Sequence, residues 1–209
     1  LHGVSCVICM SSLVPENKVR GVKENGAEVR IVGNSQDKAQ KEVDRLRVEQ
    51  KMIALPPFDH PDVIAGQGTA GLEIVEDVPD AAAIVVPLSG GGLIAGVALA
   101  AKSLLPKVSI IGVSMEHGAC MHASLKADRP VQVKEHPSLA DSLGGGIGVD
   151  NTYTFPMVKE LVDEVVLLTE EEIAHGIAHA YWREGQILEG AGSVGIAALL
   201  SNKINSSGP

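Results

Sequence analysis

Short apolar blocks alternate with longer amphipathic ones along most of this chain. Residues 4–10 form a nearly continuous apolar run, which predicts a buried strand. Residues 15–25 follow with helical spacing, Pro15 near the first turn and Gly26 as the stop. Residues 28–32 predict a second strand, 35–50 a charged amphipathic helix with Ser35 as its N-cap, and 52–55 a short third strand. That β-α-β-α-β order belongs to an open parallel sheet. Pro56-Pro57-Phe58-Asp59-His60-Pro61 breaks it and marks a domain boundary. Beyond it the pattern predicts helices over 62–75, 93–105, 118–127, 155–162, 169–184 and 190–203. Strands are expected over 82–88, 108–115 and 165–168, and a glycine-rich loop over 141–150. The chain opens on Leu1-His2-Gly3 straight into a strand. It stops at Asn205-Ser206-Ser207-Gly208-Pro209, a turn of the kind that leads into another strand, so a fragment cut at both ends is expected.

Composition narrows the classes. The 209 residues are 45% apolar but only 2% aromatic, so Val, Ile, Leu and Ala must fill the core, as in helices packed on a parallel sheet. A net charge of −9 argues against nucleic acid or an anionic membrane as a partner. No apolar run reaches membrane-spanning length. Cys6, Cys9 and Cys120 are too few, and odd in number, for a disulfide framework; they fit a reducing cytoplasm. Cys6-Val-Ile-Cys9 has redox or zinc spacing, but it sits inside the first apolar run and reads as core.

The most informative stretch is Val85-Val86-Pro87-Leu88-Ser89-Gly90-Gly91-Gly92-Leu93-Ile94-Ala95-Gly96. A strand, a glycine loop and a helix start in direct succession make a phosphate site. Glycines let backbone N–H groups approach the oxygens, and the helix start adds unpaired donors and the positive end of its dipole. A dinucleotide site is the rival reading, since Gly90-x-Gly92-x-x-x-Gly96 is a variant fingerprint. It lacks a well-placed acidic ribose ligand, because Glu116 lies too far on.

Three segments together resemble the serine/threonine dehydratase family of pyridoxal-phosphate enzymes. They are Pro57-Phe58-Asp59-His60-Pro61-Asp62-Val63-Ile64-Ala65-Gly66-Gln67-Gly68-Thr69, the loop of Ser89, Gly90, Gly91 and Gly92, and Glu189-Gly190-Ala191-Gly192-Ser193-Val194-Gly195-Ile196-Ala197. Two more stretches resemble its hydroxyectoine-utilisation branch: Cys9-Met10-Ser11-Ser12-Leu13-Val14-Pro15-Glu16-Asn17-Lys18-Val19 and Ser138-Leu139-Ala140-Asp141-Ser142-Leu143-Gly144-Gly145-Gly146-Ile147-Gly148. The resemblance implies the tryptophan-synthase-β fold (fold type II): two open, mostly parallel α/β domains, both incomplete here. The small one would span 1–57 and the large cofactor-binding one 58–209, with the site in the cleft between them. It implies pyridoxal 5'-phosphate held by the amides of Ser89, Gly90, Gly91 and Gly92, and Glu189 near the cofactor ring. The bland alternative for Glu189 is a carboxylate beside a helix dipole.

The implied reaction is dehydration and deamination of a serine- or threonine-like β-hydroxy amino acid to a 2-oxo acid and ammonia. A homodimer or homotetramer is implied as well. Racemisation starts from the same proton removal and stays open, as does a non-catalytic truncated homologue. No lysine stands in the family's Ser-Phe-Lys-x-Arg-Gly context, so no catalytic residue is assigned and the chain is expected to be inactive alone. The Ser-x-Gly-Asn-His-Gly and Ser-Gly-Gly-Asn segments are also missing. No metal site is assigned. Some relatives bind a divalent cation through a Glu matching Glu116 and an Asp where His122 stands here, and a hard cation prefers oxygen. His175 and His179, four apart, read as a surface or packed pair. Tyr181 and Trp182 read as packing a seam, and Asp59, His60 and Asp62 as helix caps.

Overall fold

Among the described residues two sheets form, and every strand pair in both is parallel. The computed structural model describes residues 3–204; Leu1-His2 and the turn expected at Asn205-Ser206-Ser207-Gly208-Pro209 lie outside the described residues. The chain divides into two compact units, Leu1–Leu55 and Pro56–Pro209, two residues ahead of the boundary expected after residue 57.

The first unit runs β1 (Val7–Met10), α1 (Glu16–Glu24), β2 (Glu28–Ile31) and α2 (Gln36–Glu49), with Val7 opposite Glu28 and Met10 opposite Ile31. Ser35 caps α2, its Oγ accepting from Lys38 N–H at 3.3 Å. Glu42 on α2 accepts from Arg30 of β2 at 2.8 Å and from Arg45 at 2.7 Å, tying helix to strand. The third strand expected at 52–55 does not form, and Ile53 and Leu55 are 88% and 87% exposed. A strand exists through its ladder, and a four-residue apolar run does not reveal whether a partner edge is in reach. The first strand is also shorter and less buried than expected. Cys6 is exposed and Cys9 half-buried, because among the described residues of this unit only Ser11, Ala39 and Leu46 are fully buried. Burial first, then the Glu42 charge, pushes the Cys9 thiol up, the opposite of an activated redox cysteine.

The second unit runs α3 (Pro61–Asp77), β3 (Ala83–Pro87), α4 (Gly92–Leu104), β4 (Ser109–Met115), α5 (Cys120–Ala127), a 3-10 turn (Asp141–Leu143), α6 (Thr154–Leu161), β5 (Glu164–Leu168), α7 (Glu170–Trp182) and α8 (Gly190–Leu200). Its sheet has the order β3-β4-β5. Alternation along the strands feeds two cores. Ile84, Val86 and Ile110 join Ile94, Val97 and Val158 on one face. Ile111, Val113, Val166 and Leu168 join Ile173, Val194 and Ala197 on the other. Helices therefore cover both faces of the sheet, the architecture a run of buried β-branched strands demands.

Small residues let α3 and α4 pack almost backbone to backbone. A Cβ on Gly96 would lie 2.3 Å from Ile64 O, and one on Gly71 would lie 2.8 Å from Val97 O. Helix α7 starts on a capping box, Thr169 accepting from Glu172 N–H while Glu172 accepts from Thr169 N–H. No helix among the described residues is long and apolar enough to cross a membrane.

Candidate functional site

At the end of β3 the sheet ladder closes with Leu88 N–H donating to Val113 O at 2.8 Å. The first bond of the following helix is Ala95 N–H to Gly91 O at 2.9 Å. Between those two bonds, the N–H groups of Ser89, Gly90, Gly91, Gly92, Leu93 and Ile94 find no acceptor among the described residues. The donors of Gly91 to Ile94 are left open at any helix start, and those of Ser89 and Gly90 extend the set, so the loop offers an anion several main-chain donors. The loop lines a cavity of about 460 Å³ together with Phe58, Gln67, Glu189 and Ala191. No lysine or arginine lines it, so an anion there is met by main-chain donors and the α4 dipole.

Each glycine of the loop has its own reason. Gly91 has φ +91°, and a Cβ there would stand 2.8 Å from Met121 Cε. A Cβ on Gly90 would be driven to 2.4 Å from the Phe58 ring, and one on Gly92 to 3.0 Å from Phe58 Cβ. Phe58 is thus the floor against which the loop is pressed.

Asp59 holds Phe58 there. Its carboxylate accepts from the N–H groups of Thr152, Tyr153 and Thr154 at 2.8, 2.9 and 2.8 Å, the open N-terminus of α6. Asn151 completes that corner, accepting from Phe155 N–H at 2.7 Å and donating to Thr154 Oγ1 at 2.7 Å. His60 caps α3, its Nδ1 accepting from Asp62 N–H at 3.2 Å, and Asp62 lies in that helix's first turn. Asp59 and His60 therefore act as caps, although the helix Asp59 caps begins 95 residues on, while Asp62 supplies the N–H that His60 caps.

Glu189 stands at the N-cap position of α8, on the wall of the same cavity. The N–H groups of Gly190, Ala191 and Gly192 find no acceptor among the described residues, so a second helix start opens beside the first. The Glu189 carboxylate accepts from Ser142 Oγ at 3.1 Å. Phe58, Gln67 and Ser142 are site residues that sequence reasoning missed. All three stood in quoted stretches without a role, and nothing local pointed to Ser142 because its partner lies 47 residues away.

Other candidates do not gather. Among the described residues no group of three or more His, Cys, Asp or Glu could hold a metal ion. His179 pairs with Glu184 at 3.2 Å. Tyr181 and Trp182, expected to pack a domain or subunit seam, meet edge-on with centroids 4.8 Å apart and are 52% and 78% exposed in the single chain. A second hollow of about 300 Å³ lies between α3 and α4, but its lining is almost wholly apolar and offers an anion nothing.

Known proteins place this geometry. The chain is 62% identical over 206 residues to a putative threonine dehydratase of Sinorhizobium fredii, covering 99% of this chain and 62% of that protein. It is 41% identical over 208 residues to an L-threonine ammonia-lyase of Thermotoga maritima, covering 100% and 51%. Among solved structures it is similar to maize serine racemase, with a TM-score of 0.87 and 32% identity over 98% of this chain and 62% of that one. It thus spans between 51% and 62% of the length of these relatives. The family profile described as pyridoxal-phosphate dependent enzyme matches residues 1–208, which displaces the dinucleotide reading. A match over that span, with an amide-lined phosphate loop inside it, has one meaning: this chain belongs to the family of pyridoxal-phosphate dependent enzymes.

Proposed function

We propose that this chain is the cofactor-holding part of an ammonia-lyase. The reaction takes a serine- or threonine-like β-hydroxy amino acid to a 2-oxo acid and ammonia. The single observation that carries the cofactor assignment is the set of unpartnered amides from Ser89 to Leu93 on the cavity wall. The substrate class rests on the relatives, named threonine dehydratase and L-threonine ammonia-lyase.

In this reading the N–H groups of Ser89, Gly90, Gly91 and Gly92 take the phosphate oxygens, and the α4 dipole stabilises their charge. Phe58 fixes the loop's shape from below, so the donors are aimed before the ligand arrives. Glu189, on the wall of the same cavity, would face the cofactor ring. When bound, pyridoxal 5'-phosphate supplies an electron sink that makes a substrate Cα–H acidic. No lysine of this chain stands in the family's Schiff-base context, so the chain alone releases no ammonia from serine or threonine above background. The free cysteines support a cytoplasmic enzyme, and the family resemblance a homodimer or homotetramer.

Titrating the chain with pyridoxal 5'-phosphate, followed by the ligand's absorbance, tests the reading. Saturable binding displaced by inorganic phosphate is expected, and Gly90→Val abolishes it. Binding of NAD with none of pyridoxal 5'-phosphate defeats the proposal. The likeness to a serine racemase makes racemisation the second reading. Chiral analysis of serine alongside ammonia release, in a longer form carrying the lysine, separates the two.

A further inference from the structure

Glu189 occupies the N-cap position of α8 yet makes no capping bond. Its carboxylate is held instead by the hydroxyl of Ser142 at 3.1 Å, and both residues line the cavity. The segment carrying Ser142 is itself locked in place. Leu139 N–H donates to Glu170 Oε2 at 2.8 Å, anchoring it to the start of α7. Leu143 N–H returns to Ala140 O at 2.8 Å and Gly144 N–H to Asp141 O at 3.1 Å, closing the 3-10 turn. Leu143 is buried at 5% exposure in the core under α8. The backbone then rests directly on the helix start, because a Cβ on Gly190 would lie 2.0 Å from Leu139 O. Neither segment can shift without the other.

We infer that Ser142 is a positioning residue: it sets where the Glu189 carboxylate meets the ring of pyridoxal 5'-phosphate, and has no part in gripping the phosphate. The inference rests on the cofactor reading above. A glutamate side chain has three rotatable bonds, and at a helix start it is drawn back toward the unpaired N–H groups of the first turn. The Ser142 hydroxyl competes with those donors and draws the carboxylate onto the cavity wall. The phosphate donors lie on another element, the loop before α4, and share no bond with Ser142. Ring-sensitive and phosphate-sensitive readouts therefore separate.

The experiment compares the full chain with Ser142→Ala, Ser142→Thr and Ser142→Ala in a Glu189→Ala background. Ser142→Ala should weaken pyridoxal 5'-phosphate about five-fold, the value of one hydrogen bond, and shift the absorption band of the bound ligand. Affinity for inorganic phosphate should stay within about two-fold, and the thermal midpoint should not move, since the Ser142 side chain is exposed. Ser142→Thr keeps the hydroxyl and should restore both the affinity and the spectrum. In the Glu189→Ala background, Ser142→Ala should have no further effect. Unchanged pyridoxal 5'-phosphate affinity and spectrum, an equal loss for phosphate, or a loss that persists without Glu189 overturns the role of Ser142 alone. A parent chain that binds neither ligand overturns the cofactor reading and this inference with it.

Discussion

At the scale of single residues, a glycine's worth depends on what a methyl group would meet. Gly91 and Gly195 show the two signs. Gly91 sits at φ +91°, and a Cβ there would lie 2.8 Å from Met121 Cε and 3.0 Å from Thr154 Cβ. Gly91→Ala should therefore cost about 2–3 kcal/mol, from backbone strain plus contact, and should weaken phosphate binding. Gly195 lies inside α8 with only Val85 Cγ1 near, at an ordinary 3.7 Å. Gly195→Ala should stabilise by about 0.5–1 kcal/mol through helix propensity. Urea unfolding of both variants checks the pair; equal signs refute the argument. Asp59 is the other residue whose surroundings set its value. Three main-chain donors on one carboxylate make Asp59→Ala cost about 2–3 kcal/mol, and the freed Phe58 should loosen the loop and lower cofactor affinity.

Between elements, backbone contact outweighs propensity. Gly96 lies in the helix interior of α4, where alanine alone would gain about 1 kcal/mol. But its Cβ would fall 2.3 Å from Ile64 O, a main-chain atom with no rotamer to escape into. Gly96→Ala forces α3 and α4 apart and should cost about 2–3 kcal/mol net, read as a lower midpoint in urea. A stabilised variant would mean that the two helices slide freely. The same logic explains the strand that did not appear. Residues 52–55 had the apolarity of a strand but gained no ladder, whereas residues 164–168 pair with β4 along their whole length. Helix ends were more legible, because a cap is local: Ser35 and the Lys38 N–H that donates to it lie within one turn.

For the whole chain, acid is the informative perturbation. Glu42 is held down at about 2 by its bonds to Arg45 and then Arg30. Burial pushes the Asp163 carboxyl up, but Ile110 N–H at 2.7 Å and the Lys102 ammonium at 2.8 Å outweigh it, and the net shift is down. Glu172 is likewise opposed by burial and lowered overall by Lys203 at 2.7 Å and by Thr169. A carboxyl depressed in the folded state lends stability above its unfolded value and loses it as pH falls through its folded value. Thermal midpoints should therefore hold steady down to roughly pH 4.5 and decline below it. The first unit should keep part of its Glu42 contribution until about pH 2. A midpoint that is flat or rises on acidification would contradict the ion-pair account. Asp163→Asn should flatten the decline in the second unit.

Local signals were sufficient for much of this chain. Alternating blocks specified parallel α/β units, because period and punctuation are carried by neighbouring residues. The strand, glycine loop and helix start were visible for the same reason. Only the folded chain could show that Ser89 to Gly92 and Glu189 share one cavity, that Asp59 caps a helix 95 residues away, and that Ser142 holds Glu189. Those relations join segments whose separation along the chain carries no pattern. They arise when burial brings two surfaces together and their hydrogen-bonding groups must then find partners or wait for a ligand.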